Sequence, residues 1–429
     1  MIKNRTVKNA IWIILGRVVQ AVLNLLITML TARFLGPSNF GLINYAMSIV
    51  AFAVPIMQLG ITSVLVQELI VSPEKEGDTL GTALVSCFVS GILCIIGVMS
   101  FVIAVDGNEP ETLWVCGLYS LTLLAQALEC TTYWFQAHLL SKYSSIISLI
   151  AYLVVSLYKV YLLVTRKSVV WFAISNALDY LLIAIALIIV YRKLGGQPLS
   201  FSLFTCRRLI HKGKYYILSG LMITVFSQTD RVMLKLMIDD SATGFYSAAV
   251  TCAGMTGFIV SAIIDSARPS IFKSKKNSAE SFERNMTLLY SIVIYFALFQ
   301  SIFITIFAKW IVHILYGQAY SATIPALKII VWYTTFSYIG AVRNVWILAE
   351  EKQSVIWKID VSGAIANVLL NYILIPYWGV NGAAIASLIT QIFTNIIVVG
   401  IIKSVRYNIW MMINSLNPRN LLSMIKEVR

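Results

Sequence analysis

The chain has 429 residues, 59% hydrophobic and 12% charged, with a mean hydropathy of +0.82. Soluble domains carry about 25% charged residues, so this composition excludes a soluble globular protein and predicts an all-α polytopic membrane protein. The formal charge of +14 does not mark a nucleic-acid partner, because Lys and Arg fall in short loops between apolar runs, where they read as topology signals.

Twelve apolar spans, each near the ~20 residues a bilayer requires, are predicted at 10–33, 43–66, 80–104, 113–135, 145–165, 169–191, 215–238, 246–267, 287–308, 322–345, 355–375 and 380–402. Lys3, Arg5 and Lys8 precede the first. That run is too long for a signal peptide and lacks a small-residue cleavage site, so it reads as a retained span. Basic residues concentrate in alternate connections: at the N-terminus, at 192–214, at 273–284, at Lys352 and after 403. The positive-inside rule then places both termini in the cytoplasm. The loop 67–79, with Glu68, Glu74, Glu76 and Asp78, runs against the pattern, but acidic residues contribute little to the rule.

Six cysteines lie mostly in apolar spans without a CxxC pair, and the three histidines are far apart. They read as small hydrophobes and isolated polar groups, so no metal or other cofactor is expected.

The spans carry polar stripes. Span one has Arg17, Gln20, Asn24, Thr28 and Thr31 at steps of three, four, four and three, which is one helix face. Span seven has Thr224, Gln228, Arg231 and Lys235 along one face, with Asp230 beside it. A charge at a bilayer centre costs about 2.5–3.5 kcal/mol on insertion scales, so such groups are expected to face protein or water. Arg17, Arg231 and Lys235 are the candidate cavity cations; Gln20, Asn24, Thr28 and Gln228 are the candidate polar lining. Span eleven carries Asp360, Asn367 and Asn371. Asp179, Asp230 and Asp360 are the intramembrane carboxylates able to carry a coupling proton or sodium ion. Arg343, near the end of span ten, is expected to snorkel to the headgroups.

Ser38, Gly41, Ile43 and Ala46 are echoed by Ser241, Gly244, Tyr246 and Ala249, at an offset of 203 residues. Two similar halves, each opening on a polar-striped helix, is a pattern of repeat-built transporters. The expected division is an N-terminal six-helix lobe at 1–200, an amphipathic cytoplasmic linker at 201–214, a C-terminal six-helix lobe at 215–405 and a basic cytoplasmic tail at 406–429. Short outer loops argue against a membrane enzyme such as a polymerase or ligase.

The segment ARFLGPSNFGLINYAMSIV (32–50) resembles the opening of polysaccharide-unit flippases. QTDRVMLKLMIDDSATGFYSAA (228–249) is similar to their seventh-span Asp and the G-x-Y-x-A-A after it. LNYILIPYWGVNGAAIAS (370–387) resembles their I-P-x-x-G-x-x-G-A-A-x-A segment. The resemblance implies an O-antigen or related repeat-unit flippase of the multidrug/oligosaccharidyl-lipid/polysaccharide exporter superfamily. It implies two pseudo-repeated six-helix lobes around a central cavity, in the bacterial inner membrane. The implied partner is an undecaprenyl-diphosphate-linked oligosaccharide, with a polysaccharide polymerase and chain-length proteins as further candidates. A multidrug antiporter of the same superfamily is the alternative.

Overall fold

A computed structural model describes the backbone of residues 2–417 and the side chains of Gln20 and residues 23–417. Regular structure among the described residues is helical. Hydrocarbon offers no hydrogen-bond partner, so a spanning segment of this kind must satisfy its own peptide groups.

The helices are α1 (Ile2–Met57), α2 (Ile61–Val71), α3 (Glu76–Asp106), α4 (Pro110–Ser120), α5 (Thr122–Leu128), α6 (Thr132–Ala137), α7 (Ser141–Val164) and α8 (Val169–Lys193). They continue with α9 (Leu203–Met237), α10 (Asp240–Gly254), α11 (Gly257–Asn277), α12 (Ala279–Leu315), α13 (Thr323–Ala349), α14 (Ile356–Ile392), α15 (Val399–Ile401) and α16 (Tyr407–Asn414). A π turn, Phe393–Val398, joins α14 to α15.

Two of these helices contain two spans each. α1 turns at Gly36 (φ 76°, ψ 172°), and Pro37 opens its second half. A glycine ending one helix and a proline starting the next is the favoured order, since each residue suits its own terminus. α14 turns likewise at Gly379 (φ 54°, ψ −130°). The stretches Leu23–Val71 and Gln353–Ile401 are each 49 residues long, about two bilayer crossings. α10 and α11 are together long and apolar enough for one span and are bent by 41° at the break between them. With α3, α4–α6, α7, α8, α9, α12 and α13, the described residues hold the twelve predicted segments. By length and composition alone, α9 and α13 fall outside the strongly apolar set, which is what polar and charged residues along a helix produce.

By contacts the chain divides into two compact units, Met1–Gln228 and Thr229–Arg429. The division falls inside α9. Residues 203–214, expected as part of a separate linker, are the first turns of that helix and are tied to the first unit. Gly213 crosses Gly60 so closely that a Cβ on Gly213 would lie 2.7 Å from the Gly60 carbonyl carbon. Gly60 itself has a left-handed φ of 64°, so this crossing requires glycine at both positions. One heptad along, Gly220 meets the ring of Pro55.

The same end of this unit is held by polar contacts. Glu68, 5% exposed, pairs with Lys212 and with Arg208 at 3.5 Å. Gln197 Nε2 donates to the Pro73 carbonyl at 2.9 Å, and its Oε1 accepts from the Gly77 amide at 3.1 Å. Thr205 Oγ1 donates to Asp78 at 2.6 Å, and His138 meets Glu76 at 3.2 Å. The acidic loop that runs against the charge pattern therefore lies with the basic connection 197–212. Loops after the second, fourth and sixth spans share one end, as alternation of direction demands.

In the second unit, Lys275 and Lys352 meet Glu350, joining the loops after the eighth and tenth spans. α16 docks on α12: Tyr290 donates to Asn408 at 2.8 Å, Ser291 to the Ser415 carbonyl at 2.9 Å, and Met411 is fully buried. The remainder of the predicted basic tail, 418–429, lies outside the described residues.

Candidate functional site

The most completely built polar cluster lies in the second unit, around Asp230 of α9. This carboxylate is 5% exposed and meets four donors. Oδ1 accepts from Asn367 Nδ2 at 3.2 Å and from Asn371 Nδ2. Oδ2 accepts from Ser387 Oγ at 2.7 Å and from the Tyr246 hydroxyl. Tyr246 and Ser387 also touch each other at 2.9 Å, and Asn371 Nδ2 bridges to Asn367 Oδ1 at 3.1 Å. Burying a carboxylate is costly unless its oxygens find donors, and four donors from three spans meet that need here.

Local structure puts these groups together. Asn367 and Asn371 are one turn apart on α14 and present one face. Beyond Gly379 the chain turns back, and the small residues Gly382, Ala383, Ala384 and Ala386, all buried, precede Ser387 on the returning half. Tyr246 lies in a second small-residue run on α10, where Thr243, Gly244, Ser247 and Ala248 are buried. Small side chains let helices approach closely enough for short polar groups to meet. One acceptor is left over: Asn371 Oδ1 is buried without a hydrogen-bond partner.

The candidate cations beside Asp230 are engaged within the unit. Arg231, 8% exposed, donates Nε to Ser247 Oγ at 3.2 Å. Lys235, also 8% exposed, is ion-paired with Asp240 at 3.0 Å. The side chain of Arg17 lies outside the described residues. In the first unit Gln20 is half-buried and Asn24 is exposed. Asn24 Oδ1 accepts from the Tyr152 hydroxyl at 3.3 Å and from Thr28 at 3.4 Å. Gln228 accepts from Ser48 at 3.0 Å.

The other two carboxylates sit apart. Asp179 on α8 is within electrostatic reach of Lys159 and of Glu129, and Lys159 donates to Asn176 at 3.3 Å. Asp360 on α14 is within electrostatic reach of Arg343. The expectation that Arg343 snorkels is corrected: it is 6% exposed and bonds to Asn395 at 2.9 Å and to Asn344 at 2.9 Å. Asn395 offers a fixed acceptor inside the unit, and the guanidinium takes it.

Sequence reasoning finds Asp230, Asn367 and Asn371 but does not join them. It misses Ser387, Tyr246 and Glu129 as site members. Ser387 and Tyr246 are hidden in small-residue runs that read as packing. No group of three or more His, Cys, Asp or Glu residues that could hold a metal ion occurs among the described residues; the Asp230 cluster is one carboxylate with neutral oxygen and amide groups.

The family of polysaccharide biosynthesis proteins matches residues 6–275, more than half of the chain. The chain belongs to that family. Its fold is shared with solved transporters. The lipid II flippase MurJ, in an inward closed conformation, superposes with a TM-score of 0.73 at 12% identity, covering 94% of this chain and 90% of that one. A multidrug resistance MATE family transporter of the MOP superfamily, inward-facing, gives 0.64 at 13% identity, with 92% and 94% covered. The uncharacterized membrane protein MJ1068 of Methanocaldococcus jannaschii is 24% identical over 233 residues. That match spans 50% of this chain and 46% of the relative, so it covers about half the length of each. This polysaccharide-biosynthesis protein is a multi-pass membrane protein of the MOP-superfamily fold.

Proposed function

We propose that the protein is a flippase that carries undecaprenyl-diphosphate-linked O-antigen or related repeat units from the cytoplasmic to the periplasmic leaflet. It works in the bacterial inner membrane with both termini cytoplasmic. Family membership supports the substrate class, and the fold shared with a lipid II flippase supports the kind of movement. In this reading no covalent bond is made or broken. The 1–200 and 215–405 lobes rock to give alternating access. An inside-negative potential aids an outgoing anion by about 2.3 kcal/mol per charge per 100 mV.

Arg17, Arg231 and Lys235 are the proposed contacts for the diphosphate, with Gln20, Asn24, Thr28 and Gln228 for sugar hydroxyls. Guanidinium and ammonium groups give phosphate oxygens charge-assisted hydrogen bonds. In this structure Arg231 holds Ser247 through Nε and Lys235 holds Asp240, and in this reading their remaining N–H groups turn to the phosphate in the loaded state.

The observation that carries the energising step is the buried Asp230 cluster. One negative charge sealed inside a membrane protein is balanced by one positive charge, so a proton or a monovalent cation suits it. Asn371 Oδ1, buried without a hydrogen-bond partner on a residue that donates to Asp230, is a spare acceptor for such a cation once the amide turns. Asp230 is therefore our choice among the three candidate carboxylates.

A second reading, an organic-cation antiporter, is favoured by the fold shared with a MATE transporter and by Glu129 beside Asp179 in the first unit. A deletion strain decides between them. Loss of surface polysaccharide with unchanged drug susceptibility supports the flippase. Drug hypersensitivity with intact polysaccharide overturns it.

A further inference from the structure

Arg343 is a buried cation held by neutral groups. It lies on α13, 6% exposed, and it donates to two amide oxygens, Asn395 Oδ1 and Asn344 Oδ1. Asp360 acts on it electrostatically, yet no ion pair joins the two among the described residues. A buried guanidinium that passes over a nearby carboxylate for amides forgoes the stronger partner.

Three local features hold this arrangement. Gly340 leaves room for Asn395: a Cβ there would lie 2.5 Å from Asn395 Oδ1. Asn395 sits within the π turn Phe393–Val398. Its orientation is determined, because a guanidinium only donates and so must face Oδ1. Nδ2 then donates to Gln391 Oε1 at 2.7 Å and to the Gln391 carbonyl at 2.9 Å.

The contacts continue toward Asp230. Gln391 lies one turn beyond Ser387 on α14, and Ser387 donates to Asp230 at 2.7 Å; Tyr333 on α13 is within electrostatic reach of Asp230 and Arg231. The groups facing Asp230 are thus Tyr246 on α10, Asn367, Asn371 and Ser387 on α14, Tyr333 on α13 and neighbouring Arg231 on α9. One stretch of the returning half of α14 and its π turn thus carries Ser387, bonded to Asp230, then Gln391, then Asn395, bonded to Gln391 and to Arg343, with Asp360 within electrostatic reach of Arg343. A π turn holds one residue more than the helix it interrupts, and such turns recur at functional sites. Tightening it to α geometry would rotate Asn395 by up to about 100° around the helix axis.

We propose that Arg343 is a positioning residue that couples ion occupancy at Asp230 to the far end of the second unit, by exchanging Asn395 for Asp360. The exchange accompanies closure of the π turn. This rests on Asp230 being the coupling site.

The test uses full-length protein in lipid nanodiscs and a complemented deletion strain. Ion binding is read as the difference in Tm between NaCl and choline chloride at equal ionic strength, at pH 6 and pH 8. Transport is read as surface polysaccharide. Asp360→Asn removes the second partner, and Asn395→Asp locks the first. Both are expected to keep an ion response, changed in size because coupling is reciprocal, while transport falls at least tenfold, and Asp360→Glu is expected to restore transport. Transport within twofold of wild type in both Asp360→Asn and Asn395→Asp overturns the exchange. So does loss of the ion response in the same variants, which marks a structural role. If Asp230→Asn leaves both the ion response and transport unchanged, the coupling reading itself fails, whatever Asp360 does.

Discussion

At the residue scale, Asp230 and Glu350 show how context decides what a carboxylate does. Asp230 takes all its partners from side chains of one unit. Tyr246→Phe deletes one donor to an ionised acceptor, a bond worth about 1.5–3 kcal/mol. It is expected to lower Tm while leaving Ser387 on the same oxygen, so transport is reduced and not lost. Asp230→Asn is expected to abolish the sodium- or pH-dependent shift in Tm, and an undiminished shift would remove Asp230 from the mechanism. Glu350 lies outside the spans. Burial pushes its carboxyl up, but hydrogen bonds and charge from Lys275 and Lys352 outweigh this and hold it below its ordinary value of 4.5. A carboxyl lowered in the folded state adds stability above its unfolded value and loses it as the pH falls through its folded value. Wild-type Tm is therefore expected to fall more steeply below pH 4.5 than that of Glu350→Gln. Asp230, Asn367 and Asn371 are legible in the sequence as polar residues at helical spacing. Their convergence is not, because spacing reports a face within one helix and not which helix it meets. Ser387 and Tyr246 carry no periodic signal of their own.

At the scale of elements, α9 shows both what periodicity reveals and where it stops. Its apolar run and buried charges identify a span. Its first turns, basic and amphipathic, read equally well as a surface linker. Tertiary contact decides: Gly213 and Gly220, one heptad apart and so on one face, meet Gly60 and Pro55 of the same unit. Gly213→Ala drives a Cβ into backbone and is expected to cost about 1–3 kcal/mol, the usual range for overpacking. Gly97, exposed inside α3, has open space for a Cβ, with nothing within 4 Å. Gly97→Ala is expected to be neutral or to raise stability by up to about 1 kcal/mol through helix propensity. Equal loss of folded protein in the two variants, measured by thermal unfolding in detergent, would refute the assigned crossing. The Gly36–Pro37 and Gly379 turns are less legible, since glycine and proline also occur within membrane helices.

At the scale of the whole molecule, twelve spans are readable because apolar length is the strongest signal a membrane chain carries. The offset of 203 residues also has a structural counterpart, since it separates the Gly36 turn from Asp239, which caps α10 by accepting from the Ala242 amide at 2.7 Å. The division near residue 228 is not readable, because α9 is unbroken in sequence pattern across it. The proposed topology gives a direct check. In a Cys206→Ser background the remaining native cysteines are buried. Single cysteines at Leu199 and Glu351 are expected to react with an impermeant maleimide only after the cytoplasmic side is opened. Those at Asn108 and Gln318 are expected to react in intact cells. The opposite pattern would invert the assignment of both termini.

The hairpin at Gly36 has a practical outcome. Each of the Gly36 and Gly379 turns passes from one membrane segment to the next through about one residue of irregular backbone, so neither leaves slack for an added tag or a protease. Epitopes and fluorescent reporters belong instead at the exposed residues 194–195, ahead of Gly196 on the Tyr191 ring and of Gln197 with its contacts, where an insertion interrupts no helix.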